Sequence, residues 1–208
     1  QPENLPLHIV AGSPEPEHLN PYRHDDRFLV HDMSKDEAGR LVFVVVVCVL
    51  RATWGHCRCL HPWRVNEGAD TLLVMEDDIQ VTSQFATKLM AAAEDIRKSF
   101  GARWVMTCYT PQSPAPLEAM KAGKKWIFRG HEGYYGAQAL LYPVRARDEY
   151  MMYLADHVLN LPHDLALPVV LKNLGIPLLG SAPCLVQHMG NVTQGVSAAY
   201  HRSESFLE

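Results

Sequence analysis

The sequence predicts an α/β fold built on one central sheet, and three observations carry that prediction. Short apolar runs, Leu5 to Val10 and Thr71 to Met75, stop abruptly at turn-forming or acidic residues, as buried strands do. The run Leu41 to Leu50 (LVFVVVVCVL) is rich in β-branched residues and also reads as a buried strand. From Phe85 to Phe100 the pattern changes: Phe85, Leu89, Ala93, Ile96 and Phe100 recur at helical spacing. Strand and helix periods alternating along one chain point to a sheet covered by helices.

Taken in order, Leu5 to Val10 forms a first strand that breaks at Ala11, Gly12, Ser13 and Pro14 into a tight turn. Phe28 to Val30 is a second short strand and the valine-rich run a third. A short helix after Arg51 must end or bend at Pro62. Thr71 to Met75 runs directly into Glu76, Asp77 and Asp78, so three carboxylates leave the carboxyl end of a strand, where open α/β sheets bind ligands. Ser83 offers an N-cap to the amphipathic helix, with Glu94 and Lys98 one turn apart on another face. Trp104 to Tyr109 is the next strand, and Pro111, Ser113, Pro114 and Pro116 read as a loop. Trp126 to Arg129 and Ala137 to Tyr142 are strands around the turn His131 to Gly136. Val144 to Leu159 is helical, and Pro162 breaks it. A helix over Asp164 to Asn173 ends near Gly175. Leu178, Leu179 and Cys184 to Gln187 are strand-like and lead to His188.

With 208 residues, 48% of them hydrophobic, the chain can bury one continuous core without crosslinks. A formal net charge of −4 and a pI near 6.3 give no global attraction to nucleic acid or another polyanion. Five cysteines, Cys48, Cys57, Cys59, Cys108 and Cys184, are an odd and sparse set that suits reduced thiols and a cytoplasmic setting. No signal peptide opens the sequence, and the most apolar run is too short to cross a bilayer as a helix. A membrane anchor outside these residues is compatible with both observations.

Carboxylates held at a strand end are hard oxygen donors that suit Mg²⁺ or Mn²⁺ bridging two phosphates. An isolated Glu-Asp-Asp is as readily a solvated acidic turn; its context decides. Val74-Met75-Glu76-Asp77-Asp78, with its preceding leucines and following helix, resembles the acidic metal motif of glycosyltransferases with the GT-A fold. Gly133-Tyr134-Tyr135-Gly136-Ala137 resembles the segment lining the sugar and acceptor side of that fold. Pro162-His163-Asp164-Leu165 resembles the acidic motif that supplies the base in inverting members. Pro183 to Gly190 (PCLVQHMG) resembles the ending whose histidine completes the metal shell. Taken alone, the glycine segment would be a hairpin turn, Asp164 an N-cap and His188 a hydrogen-bonded structural histidine; the order of the motifs favours the functional roles.

The resemblance covers roughly Leu5 to Gly190 and implies a single GT-A domain. In it, a Rossmann-like nucleotide-binding part of about 1–80 precedes an acceptor and catalytic part of about 81–208, with a mixed central sheet flanked by helices. It implies Asp164 as catalytic base, and Asp78 and His188 as metal ligands with Glu76 or Asp77 assisting at the ion and ribose. Donor contacts would come from Ala11, Gly12, Ser13, Arg51, Gly133, Tyr134, Tyr135 and Gly136, Arg51 being equally readable as a surface cation. The imidazole favours Mn²⁺ over Mg²⁺. The donor implied is a nucleotide sugar, most simply a UDP-sugar, and the acceptor a hydroxyl of a glycan, lipid, protein or hydroxylated nucleic-acid base. Tyr134, Tyr135 and Trp126 are candidates to stack on a sugar or base. Residues 197–208, with His201, Arg202 and Ser205, are expected to fold back over the donor. The stretch between the first strand and the acidic triplet is short for the family. Two rival functions remain at this point: a sugar nucleotidyltransferase, for which Gly12-Ser13-Pro14 is a poor glycine-rich loop, and a non-catalytic nucleotide-sugar-binding module. His56, Cys57, Cys59 and His61 crowd too closely for the separated ligand pairs of structural zinc.

Overall fold

The computed structural model describes residues 7–11, 28–32, 70–75, 79–111, 113–134, 136–157, 161, 163–189 and 202–207. The valine-rich run, Arg51 and the His/Cys cluster at 56–61 lie outside the described residues, as do Gly12, Ser13, Glu76, Asp77, Asp78, Tyr135 and Pro162. Among the described residues, nine strands and four helices alternate. They are β1 (Leu7–Ala11), β2 (Phe28–Asp32), β3 (Thr71–Met75), β4 (Ile79–Val81), α1 (Phe85–Phe100), β5 (Val105–Thr107), α2 (Ala115–Lys121), β6 (Trp126–Phe128), β7 (Ala139–Pro143), α3 (Val144–Asp156), α4 (His163–Leu174), β8 (Leu178–Ser181) and β9 (Val186–His188).

Seven strands form a mixed sheet in the order β2-β1-β3-β7-β5-β8-β6, and β4 and β9 form a separate pair. β1 is parallel to β2 and β3, β5 is parallel to β8, and β7 is antiparallel to both β3 and β5. Five strands therefore point one way, while β7 and β6 run against them. The fold is mixed α/β, as the sequence predicts.

Alternation of side chains along the strands divides the core in two. Leu72, Val74, Val105, Leu140, Tyr142 and Leu178 pack with α3 and α4 residues Ala146, Tyr150, Leu167, Val170 and Leu171. Their neighbours Met106, Ala139, Leu141 and Leu179, with Leu73 and Met75 partly buried, pack instead with Leu89, Ala92, Ala93 and Ile96 of α1. The sheet is thus sandwiched between helices, and with apolar side chains wanted on both faces the strand TLLVM is continuously apolar in the sequence.

Three local expectations change. α1 starts after Gln84, which adopts φ 57° and makes no side-chain cap, so Ser83 is not the N-cap. The cause lies just upstream: the Thr82 N–H is bonded to the Leu185 carbonyl at 3.0 Å, and the chain must turn before it can coil. The proline-rich stretch holds a helix, α2, with Pro114 as N-cap and Pro116 in the first turn. Proline fits there because a first turn has no use for its missing N–H. β4 is the third difference, a three-residue strand directly after the acidic triplet. The expected pair of Glu94 and Lys98 is present at 3.8 Å, on the solvent side of α1. Among the described residues no helix is long and apolar enough to cross a membrane.

Candidate functional site

Sheet direction decides which residues share one end of the molecule. Met75, the last residue before the acidic triplet, pairs with Ile9 of β1 on one side and with Ala139 of β7 on the other. β1 therefore ends, through Ala11, at the edge where β3 ends. β7, running the opposite way, begins there directly after Gly136, Ala137 and Gln138. β5 and β8, both antiparallel in sense to β7, also finish at this edge, at Thr107 and Ser181.

α4 brings Asp164 toward the same end. Its last residue, Leu174, is followed by a short turn into the beginning of β8, so the helix C-terminus lies at the opposite, strand-start edge. Twelve helical residues span about 18 Å, enough to carry the other terminus back along the sheet. Asp164 lies within the first turn of α4, where its Oδ1 accepts the Leu165 N–H at 3.1 Å. The side chain is half-buried. Pro168, buried inside α4, has no N–H to give to the Asp164 carbonyl four residues earlier. Beside Asp164, His163 is buried, its Nδ1 3.3 Å from the Tyr150 hydroxyl, and burial lowers its pKa from 6.5 to about 3.

His188 ends β9. In the β4–β9 ladder the register pairs Ile79 with His188, Gln80 with Gln187 and Val81 with Val186. The residue that follows Asp78 in sequence is thus the direct cross-strand partner of the histidine. Val186 and the preceding Leu185 pack with α1 residues, so this ladder sits on the α1 side of the sheet, whereas α4 covers the other side. Among the described residues no three His, Cys, Asp or Glu side chains converge as a metal-binding group; the acidic triplet is outside that set.

The glycine segment is held by its own residues. Tyr134 is buried in the core, with its hydroxyl donating to the Gly136 carbonyl at 2.8 Å and the Arg129 guanidinium 5.6 Å from its ring centre. Gly136 has φ 110°, and a Cβ there would stand 3.0 Å from the Tyr109 ring and from Gln138 Oε1. Gly133 also has positive φ, 60°. Both glycines are needed for backbone shape. Tyr134 builds this turn from inside, and its ring is enclosed by protein. Trp126 is similarly engaged: its indole N–H donates to Asp95 at 3.0 Å, and its ring meets Phe100 and Phe128 edge-on.

Around the ends of β5 and β8, Cys108 and Cys184 are buried free thiols. Burial, and then the neighbouring Cys184, push the Cys108 thiol well above its usual range, so it behaves as a small apolar side chain. Cys184 Sγ receives the Thr110 N–H at 3.2 Å. The segment 202–207 lies nearby, where Ser203 and Ser205 are buried and Thr82 donates its hydroxyl to the Leu207 carbonyl. Sequence patterns gave no sign that Gln187 and Thr82 would be the residues receiving this segment. A glutamine directly before the terminal histidine of a strand is the one available signal, and it acquires meaning only from the tertiary contact. No protein-family model matches this chain, and no curated protein matches it either.

Proposed function

We propose that the protein is a metal-dependent glycosyltransferase of GT-A type, moving a sugar from a UDP-sugar to an acceptor hydroxyl with inversion. The observation that carries this reading is the pairing of Ile79 with His188. Consecutive α-carbons are about 3.8 Å apart and antiparallel partners roughly 4.5–5.5 Å apart. Asp78 directly precedes Ile79 in the sequence, so this register supports assigning its carboxylate and the imidazole of His188 to one ion. The donor set, carboxylate with imidazole, suits Mn²⁺. Asp78 and His188 would hold the ion, with Glu76 or Asp77 assisting at the ion and ribose.

The mixed sheet supports the reading in a second way, since Ala11, Met75 and the Gly136 segment meet at the edge where α/β sheets take their ligands. The turn after Ala11, with Gly12 and Ser13, receives the nucleotide, and Arg51 serves its phosphates. Gly133, Tyr134, Tyr135 and Gly136 shape the sugar side, Tyr134 acting through the backbone turn it supports. A bound divalent cation supplies positive charge to a departing diphosphate. Asp164 takes the proton from the acceptor hydroxyl as that oxygen bonds to the anomeric carbon and the bond to the diphosphate breaks. The Leu165 N–H fixes one carboxylate oxygen and aims the other. The acceptor class is a hydroxyl compound.

Calorimetric titration with UDP in the presence and absence of Mn²⁺, followed by mass-spectrometric screening of UDP-sugars against mixed hydroxyl acceptors, tests this function. Mn²⁺-dependent UDP binding and a product heavier by one sugar are expected. Absence of both would remove the assignment, whereas UDP binding without hydrolysis or transfer would mark a binding module.

A further inference from the structure

The β4–β9 ladder is a pair of three-residue strands outside the main sheet, packed through Leu185 and Val186 against α1 and tied to the end of β5 where the Leu185 and Val186 N–H groups reach the Cys108 carbonyl at 2.9 and 3.3 Å. Segment 202–207 supplies bonds to both sides of it. Gln187, buried in β9, accepts the Ser203 N–H at 3.0 Å through Oε1 and donates from Nε2 to the His188 carbonyl at 3.2 Å. Ser205, fully buried, accepts the Cys184 N–H at 3.0 Å, and its hydroxyl lies 3.3 Å from that of Ser203. On the β4 side, the Thr82 hydroxyl donates to the Leu207 carbonyl and receives Lys88 Nζ at 3.2 Å.

The chemistry at Gln187 has one solution. Ser203 presents an N–H and needs an acceptor; His188 presents a carbonyl and needs a donor. A side-chain amide of this length offers both at once, and neither a carboxylate nor an apolar side chain does. Because the bond to Ser203 is buried, water cannot substitute cheaply for it, and the bond to the His188 carbonyl is part-buried.

We propose that residues 202–207 form a strap that holds β9 in register with β4, and that Gln187 is the positioning residue through which the strap fixes His188. The consequence for metal binding rests on the glycosyltransferase reading; the consequence for the ladder does not. Gln187→Met removes both amide bonds, and Ser205→Ala removes the acceptor for Cys184 together with the hydroxyl contact to Ser203. Hydrogen exchange on the metal-free full chain is expected to speed up about tenfold at residues 79–82 and 185–188 in both variants, with β5 and β7 unchanged. Gln187→Glu keeps the acceptor and loses the donor, and in the presence of UDP it should weaken Mn²⁺ binding about tenfold. Unchanged exchange in the ladder in both variants, or equal acceleration throughout the main sheet in both, overturns the strap. A wild-type chain that binds no Mn²⁺ with UDP present overturns the glycosyltransferase reading, and the exchange data then decide the strap separately.

Discussion

Ile79 and His188 face one another as the outermost pair of the β4–β9 ladder. A strand register thereby joins the exit of the acidic triplet to an imidazole near the other end of the sequence. If these groups share an ion, His188→Ala will lower Mn²⁺ affinity by more than about tenfold in a titration that includes UDP. Unchanged affinity would show that His188 only ends a strand.

Asp164→Asn separates chemistry from binding. Asparagine keeps the Oδ1 that accepts the Leu165 N–H, so the start of α4 is preserved while the proton acceptor is lost. Transfer should fall by about 10²- to 10⁴-fold with UDP affinity unchanged, read from initial rates and calorimetry. Transfer at the wild-type rate would exclude Asp164 as base.

His163 makes stability depend on pH. Its pKa is about 3 in the folded protein and 6.5 in the reference state, so the unfolded chain takes up a proton that the native chain refuses. The contribution to stability is complete above pH 6.5 and is lost as pH falls toward 3, at about 1.4 kcal/mol per pH unit. Urea unfolding at pH 5.5, 5 and 4.5 should show this slope, and His163→Asn should flatten it. Equal slopes in the two proteins would mean that burial does not hold His163 neutral.

Gly180 tests packing between β8 and its neighbours. An added Cβ would lie 3.0 Å from Thr110 Oγ1 and 3.3 Å from Ile127 Cγ1. Gly180→Ala is expected to destabilise by about 1–3 kcal/mol in denaturant unfolding. Thr110→Ala, which deletes a buried hydroxyl that has no hydrogen-bond partner among the described residues, should recover part of that loss in the double variant. Additive losses would place the strain on the Ile127 side.

Local pattern made some elements legible. TLLVM is a short continuous apolar run that stops at acidic residues, and α1 keeps one apolar stripe for four turns, so each was readable without its neighbours. β4 went unseen because Ile79-Gln80-Val81 follows the acidic triplet without a turn signal or an apolar run, and β9 was expected to start two residues early, over Cys184 to Gln187. Pro111, Pro114 and Pro116 read as a loop because prolines cannot join a sheet ladder; the equally familiar place of proline in the first turn of a helix is the one the chain uses. Tyr134 and Trp126 show the limit for sites: an aromatic near a glycine turn has the same sequence appearance whether it lines a pocket or, as here, is committed to the Gly136 carbonyl or to Asp95.

Arg103 has a mechanical consequence. Its guanidinium meets Glu149 of α3 at 2.9 Å, the Gly175 carbonyl at 3.2 Å and the Leu174 carbonyl, all beside the beginning of β5. Two helices and a strand are riveted there at one cation, giving the molecule a stiff floor. Away from that floor the ties are fewer: α4 lacks one rung of its ladder at Pro168, and the β4–β9 pair leans on residues 202–207 through Gln187.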